Sequence, residues 1–312
     1  MKLFHQCGHC TKWNLDAFNN GQVGDGLIFS PVHEKRARIE AQPASVRKAS
    51  FFDPQYYLPN SQKAKLHTYD FFPEVVSTGF STADFSLVAI ESAKLCLEFQ
   101  AAQQFEKLII PARYFSQMNP DYTTKQEAYT VVPFLKEASR QKLKKPIYLT
   151  LPLTSHMIEH EGYRTDILNW VTSFPEIAGI YLIPDHARQI KQVLSAAFIT
   201  EMLKLITEIQ EANLKVIVGY VNTESLLYLI AGDIDITFGA YENTRIFSID
   251  KFVESDEDRR GPKARIYLSG LLNWLQFSQA KELKASDAKP VSYTHLRAHE
   301  TKANLVCRLL LE

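Results

Sequence analysis

Short runs of apolar, β-branched or aromatic residues punctuate the chain at Lys2–Gln6, Gly26–Pro31, Ser50–Asp53, Lys107–Pro111, Pro146–Leu151, Gly179–Ile183, Lys215–Gly219 and Ile234–Phe238. Each has the length of a strand. Several (LIIP, IYLTL, IYLI, VIVG) are apolar on successive residues, as expected for strands covered on both faces. Between them, apolar positions fall three or four apart. In Phe85–Phe99 they are Phe85, Val88, Ala89, Ser92, Leu95, Cys96 and Phe99, behind a capping box at Ser81–Asp84 that satisfies the free N–H groups of a first turn. The same signature at Thr124–Glu127 predicts a helix over Val131–Leu143. A stripe of Ile190, Val193, Leu194, Ala197, Met202, Ile206 and Ile209 predicts another over Ala187–Asn213. Shorter helices are expected at Lys12–Asn19, Glu34–Arg47, Tyr163–Phe174, Thr223–Ala231 and Ser269–Leu283.

Strict alternation of strand and helix favours a parallel sheet with right-handed crossovers. Eight such units in about 285 residues predict an α/β fold, a (β/α)8 TIM-like barrel. With the short, polar first strand discounted, seven strands also fit an open sheet. Two connections exceed ordinary turns. Pro54–Phe80, after strand three, carries Tyr56, Tyr57, Pro59, His67, Tyr69, Phe71, Phe72, Pro73 and Phe80 and reads as a lid or one wall of a pocket. Ile246–Lys263, after strand eight, contains the charge run Glu254–Arg260 and reads as a solvated surface excursion.

Composition narrows the class. A 312-residue chain that is 46% hydrophobic can bury a large core, and 35 basic against 35 acidic residues argue against a general polyanion binder. No run approaches the 18 or so apolar residues of a membrane span, and Met1–Cys10 lacks the apolar core of a signal peptide. Four cysteines are too few for a disulfide-stapled scaffold, so a cytoplasmic protein is expected. Residues Val291–Glu312 resemble a string found at the ends of unrelated translations from metagenomic assemblies, where it reads as translated sequencing-adapter DNA. On that resemblance residues 1–290 are one barrel domain, C-terminally truncated, and 291–312 are a non-native tail.

In a parallel barrel the ligand site lies at the strand C-termini. The polar residues there are His5 with Gln6, Ser30 with His33, Asp53 with Gln55, Arg113, Thr154 to His156, Asp185 with His186, Asn222 to Glu224, and Glu242 to Arg245. Asp53, Asp185, Glu224 and Glu242 are the acid–base candidates. His5, His33, Gln55, Tyr56, Arg113, His156, Asn222 and Arg245 are the substrate-binding candidates, with the loop aromatics excluding water. Asp185, Asn222 and Glu224 also sit where helix caps belong. Arg113 has no capping role and needs an anionic partner, either Asp53 or a substrate. A small polar or anionic molecule is therefore the expected ligand; the sequence identifies no cofactor and no metal ligand set.

Several tempting motifs carry little. Cys7-Gly-His-Cys10 lacks the preceding strand and helix of a redox thiol pair and a second pair for zinc. His156-Met-Ile-Glu-His160 matches a zinc-protease pattern without a convincing long helix. Glu224 and Glu242 satisfy the two-carboxylate requirement of a glycosidase, but Ala112-Arg113 stands where many barrel glycosidases carry their Asn-Glu acid. Lys35, Arg36, Arg38, Arg47 and Lys48 form a basic helix face; nucleic acid binding there is the alternative to plain solvation. The arrangement resembles (β/α)8-barrel enzymes at the level of fold. Barrels similar to tRNA-guanine transglycosylases, which use two aspartates and usually zinc, are a narrower alternative, but their glycine-rich substrate motif is absent from this chain. A non-catalytic barrel binding a protein or nucleic acid is the remaining alternative to an enzyme.

Overall fold

The computed structural model describes residues 1–72, 82–186, 192–254, 265–268 and 273–285. Met1–Glu254 and Ser255–Glu312 form two separate compact units. In the first unit, all eight predicted strands form: β1 (Leu3–Gln6), β2 (Gly26–Phe29), β3 (Phe51–Phe52), β4 (Leu108–Ile110), β5 (Ile147–Thr154), β6 (Ile177–Asp185), β7 (Lys215–Val218) and β8 (Asp235–Phe238). Their order is β3-β2-β1-β8-β7-β6-β5-β4, and every neighbouring pair is parallel. The first and last strands pair, Phe4 against Thr237, which rolls the sheet into a cylinder. Its two edges, β3 and β4, meet without a strand ladder. Glu106 N–H donates to the Ser50 carbonyl at 2.8 Å below them, and Tyr114 N–H to the Tyr57 carbonyl at 3.0 Å above. The fold is α/β, eight parallel strands in a nearly closed (β/α)8 barrel.

Helices alternate with the strands. α1 (Thr11–Asn19) follows β1, α2 (Arg36–Glu40) and α3 (Ala44–Lys48) follow β2, and α4 (Thr82–Ala102) follows β3. α5 (Tyr122–Gln126) and α6 (Val132–Arg140) follow β4, α7 (Ser155–Glu159) and α8 (Glu161–Thr172) follow β5, α9 (Ala196–Glu211) follows β6, and α10 (Ser225–Tyr228) follows β7. After β8 the described residues form only 3-10 turns, at Glu242–Thr244 and Ile249–Lys251.

Several predicted helices are corrected. Glu34–Arg47 is two short helices because Pro43 lacks the N–H and favours an extended predecessor. Thr124–Glu127 starts nothing: Thr124 lies inside α5, and a π turn at Glu127–Val131 carries the chain into α6. α9 begins at Ser195, whose hydroxyl accepts the Phe198 N–H at 3.2 Å; Leu194 is exposed, and Ile190 lies outside the described residues. On α4, Val88 is exposed while Ala89, Ser92, Ala93, Cys96 and Gln100 are buried; the side chains of the expected Ser81–Asp84 box and of Phe85 lie outside the described residues. Gln100 is buried because its carboxamide takes the place of a strand partner, accepting the Ile109 N–H at 2.8 Å and donating to the Ile109 carbonyl at 3.0 Å.

The described part of the second unit is an antiparallel hairpin, β9 (Arg265–Leu268) with β10 (Asn273–Gln276), followed by α11 (Phe277–Ala285). Ile266, Leu268 and Ala280 form its small core, with Leu275 and Phe277 packed on them. The helix expected at Ser269–Leu283 is thus a strand and a shorter helix, because Tyr267 and Trp274 pair across the hairpin, ring centroids 5.0 Å apart. The charge run Glu254–Arg260, except Glu254, and the tail Val291–Glu312 lie outside the described residues. No helix among the described residues is long and apolar enough to cross a membrane.

Candidate functional site at the barrel mouth

The barrel interior departs from the Val, Ile and Leu layers that usually fill this fold. At the N-terminal end, the buried Lys107 ammonium lies over the rings of Phe4, Tyr148 and Phe51 at 4.8, 5.0 and 5.3 Å, with Asp235 at 3.5 Å. Above this floor the interior becomes a hydrogen-bonded polar chain. Gln6 Oε1 accepts from the Thr237 hydroxyl at 2.8 Å and the Tyr181 hydroxyl at 3.3 Å, and Gln6 Nε2 donates to Ser30 Oγ at 3.3 Å. Tyr181 fits because Gly219 faces it; a Cβ there would stand 2.7 Å from the ring. Tyr220 N–H donates to Thr237 Oγ1 at 3.1 Å, and Gln55 Nε2 donates to the Tyr220 hydroxyl at 3.3 Å.

Asp53 ends this chain. It is fully buried at the exit of β3, and its two oxygens accept from the Tyr57 hydroxyl at 2.7 Å and the Gln55 N–H at 3.0 Å. Burial pushes the carboxyl up to about 7, against the pull of the Tyr57 and Gln55 donors toward the ionised form. Burial holds the Tyr57, Tyr181 and Tyr220 phenols well above their ordinary range, with the Asp53 charge adding to it, so all three are neutral donors. Gln55 and Tyr220 both adopt left-handed backbone, φ +59 and +55, although neither is glycine. Such a conformation costs a side-chain-bearing residue on the order of 1–2 kcal/mol, and here it aims two residues at each other beside one acid.

Aromatic residues roof the mouth. Phe247 is buried among Tyr57, Tyr114 and Tyr220, at centroid distances of 5.1, 5.5 and 5.7 Å, and Phe252 lies 5.2 Å from Tyr57. The Ser61 hydroxyl donates to the Phe252 carbonyl, tying the loop after β3 to this roof. The stretch Ile246–Glu254 is therefore not a solvated excursion: Phe247 and Phe252 are buried on the barrel, while Asp250, Val253 and Glu254 are exposed. Tyr114 donates its hydroxyl to Asp185 at the end of β6, so Asp53 and Asp185 each hold a tyrosine that touches Phe247. The long pairing of β5 with β6, through Thr154 against Asp185, raises Asp185 to this level.

Other expected residues lie elsewhere. His5 faces outward, its Nε2 2.6 Å from the Val23 carbonyl; strand alternation turns its neighbour Gln6 inward instead. Tyr56 packs outside the barrel, sharing hydrogen bonds with Ser92 of α4 at 2.6 Å and the Phe71 carbonyl at 3.1 Å, and Tyr69, Phe71 and Phe72 are buried with it. That part of the loop is core packing rather than a lid, and its Pro73 and Phe80 lie outside the described residues. Glu224, the residue before α10, accepts the Asn222 N–H at 3.1 Å, and the Ser225 hydroxyl donates to the Asn222 carbonyl at 2.7 Å. Arg245 donates to the Gly239 carbonyl at 2.7 Å and lies 5.9 Å from the Phe238 ring centroid. The Glu242 side chain lies outside the described residues.

Arg113 makes no ion pair with Asp53. Its backbone bonds the Gln126 side chain, its guanidinium lies 5.6 Å from the Phe115 ring centroid, and one buried N–H has no partner. Burial lowers its pKa. His156 is exposed on α7, while His160 starts α8 as its cap, its Nδ1 accepting from Tyr163 N–H at 3.1 Å; the two imidazoles do not share one helix. Cys7 is buried and unlinked to Cys10, and burial raises its thiol pKa well above the ordinary value, the opposite of a reactive thiolate. No cluster of three or more His, Cys, Asp or Glu among the described residues is placed to hold a metal ion. The basic face is neutralised only in part: Arg36 pairs with Glu40 and Asp70 and Arg38 with Glu34, while Arg47 donates to the Glu40 carbonyl and the Gln103 side chain.

His33, Lys65 and Lys251 complete the rim. The Lys65 ammonium donates to the His33 carbonyl at 2.7 Å, and the Lys251 ammonium lies 4.5 Å from the Tyr220 ring centroid. Sequence reasoning placed Tyr57 over the ligand as one of the loop aromatics, but missed Tyr220, Phe247, Lys65 and Lys251 as members of one site. The only available signal was that each lies in a connection following a strand.

No protein-family model and no curated protein matches the chain. Among solved structures, dihydrodipicolinate synthase from Oceanobacillus iheyensis is similar over 59% of this chain at 10% identity, with a TM-score of 0.31. The matched region spans 55% of that chain, about half its length, and the barrel assignment rests instead on the strand order described above.

Proposed function

We propose that this barrel is an enzyme performing acid–base chemistry on a small polar or anionic molecule at the C-terminal ends of its strands. The observation that carries the reading is Asp53: a fully buried carboxyl at a strand exit, poised near neutrality and oriented by Tyr57 and Gln55. With a pKa of about 7, both its forms are populated at neutral pH, so it can give a proton and take one back. Asp185, across the Phe247 ring, is the second acid of the mouth, and Tyr114 orients it. Gln55 and Tyr220 support the reading through their placement: of the six non-glycine residues with positive φ among the described residues, these two are hydrogen-bonded to each other beside the acid. Phe247 and Phe252 exclude water, and substrate entry requires the Ile246–Glu254 segment to shift. Buried thiols at Cys7 and Cys96, neither in a disulfide, favour a reducing, cytoplasmic setting.

The test is a turnover screen of small polar and anionic metabolites, read by NMR, comparing the native chain with Asp53→Asn and Asp185→Asn. Native turnover of a substrate that Asp53→Asn processes about 100-fold more slowly or worse is expected, the scale of a lost acid–base group. A substrate processed equally by both proteins removes Asp53 from catalysis.

A further inference from the structure

The connections after β8, β1, β2 and β3, strands that are consecutive around the barrel, each bring basic or imidazole groups to the same sector of the mouth. They are Lys251 after β8, His9 after β1, His33 after β2, and Lys63 with Lys65 after β3. The Lys65 bond to the His33 carbonyl joins two of these connections. Lys251 donates to the Ile246 carbonyl and lies over the ring of Tyr220, whose hydroxyl accepts from Gln55, the neighbour of Asp53 in the hydrogen-bonded chain.

The ammonium groups come from two of these loops, Lys251 after β8 and Lys63 with Lys65 after β3, and repel one another. Lys63 and Lys65 make no ion pair among the described residues. The nearby carboxylates are engaged: Glu34 is buried against the Thr11 hydroxyl and paired with Arg38, and Asp250 accepts from the Ser248 hydroxyl on its own turn. Burial first, and then Lys251, Lys65, His9 and Lys63, depress the His33 imidazole to about 3, so its ring is neutral and offers one N–H without a charge of its own.

We propose that this sector is an anion site and that the substrate carries a phosphoryl group seated between Lys65, Lys251 and the His33 ring, its remainder directed toward Asp53. This rests on the acid–base reading of the mouth and names the substrate class it serves. Phosphate fits better than carboxylate. A carboxylate is matched by one planar guanidinium fork, whereas point-charge ammonium groups from several directions match a compact, multiply charged oxyanion with three free oxygens. Arg113 and Arg245, the clamp expected from sequence, leave the barrel on β4 and after β8 and are not part of this cluster.

The test is a calorimetric titration of the full chain with inorganic phosphate at constant ionic strength. It is run on the native protein, on Lys65→Met/Lys251→Met, on Asp53→Asn and on Lys204→Met. The methionines keep the aliphatic stems that pack at the rim, and urea unfolding of each variant confirms that it is folded. Lys204 pairs with Glu201 on α9 and serves as the remote control. The native chain, Asp53→Asn and Lys204→Met are expected to bind phosphate saturably and alike, with the double variant at least about tenfold weaker. Absence of saturable binding overturns the proposal. So does undiminished binding in the double variant, which would place the ion elsewhere, for example in the cavity of about 420 Å3 lined by Lys142, Lys144 and Lys145 at the start of β5. Phosphate binding that needs Lys65 and Lys251, in a protein whose turnover ignores Asp53→Asn, sinks the acid–base reading and leaves the anion site intact.

Discussion

Asp53→Asn makes the sharpest test of the energetics of the mouth. In the unfolded chain the carboxyl titrates at its ordinary value of 3.8; buried beside Tyr57 and Gln55 it titrates at about 7. A group whose proton is held more tightly by the folded state stabilises the fold fully below about pH 4, and that contribution fades as the pH climbs to about 7. At about 1.4 kcal/mol per pH unit, the loss across this window is about 4 kcal/mol, a large share of a domain's usual 5–15 kcal/mol. The carboxamide of Asn copies the neutral acid and never ionises. Urea unfolding of both proteins from pH 4 to pH 8.5 should therefore give nearly equal stabilities at the acid end and an Asn variant more stable by up to about 4 kcal/mol at pH 8. The difference between the two proteins is the proper readout, because His33 works in the opposite sense. Held neutral down to about pH 3, it removes stability as the pH falls below its ordinary 6.5, and it does so equally in both proteins. A difference that stays flat across the whole range would refute a buried, proton-holding Asp53.

Three further outcomes follow from the packing. Lys107→Ala should cost about 2–4 kcal/mol in urea unfolding by emptying the space beneath Phe4, Phe51 and Tyr148, whereas Lys107→Met, which fills that space without a buried charge, should change stability by less than about 1.5 kcal/mol; equal losses would assign the role to the ion pair with Asp235. At Gln55, Gly should be more stable than Ala by about 1 kcal/mol, since both lose the same hydrogen bonds and only Ala keeps the penalty of positive φ; an Ala variant as stable as Gly would show the backbone to be unstrained. Tyr56→Phe should lose about 0.5–1.5 kcal/mol, the scale of an ordinary buried hydrogen bond, because the Ser92 hydroxyl still donates to the Phe71 carbonyl at 2.7 Å, with phosphate binding unchanged; weakened binding would return Tyr56 to the mouth.

The strands were legible because burial on both faces leaves a run that any reader of hydropathy can find, even for β3, which is two residues long. Asp53 and Asp185 were legible by position alone, as the polar residues that end such runs. His5 was misassigned although strand alternation was available to correct it: if Gln6 points inward, His5 cannot. The density of aromatic residues after β3 says only that they are buried; whether they bury against α4 or over the mouth depends on long-range packing. The left-handed turns at Gln55 and Tyr220 leave no trace in residue type, since glycine is the usual marker and neither position has it. Phe247 and Lys251 sit in a stretch whose overall polarity masks one apolar residue and one cation held at the mouth.

The junction of β3 with β4 gives the cylinder a seam. Around most of the circumference, ladders of main-chain bonds fix the distance between neighbouring strands; along this one line, the Glu106–Ser50 and Tyr114–Tyr57 bonds are the stitches, while the Gln100 carboxamide of α4 occupies the open edge of β4 at Ile109. Asp53 and Tyr57 stand on one side of it, Arg113 and Tyr114 on the other. The spacing of Tyr57 and Tyr114, and with it that of the two acids they hold, is set across this line by isolated main-chain bonds rather than by a strand ladder.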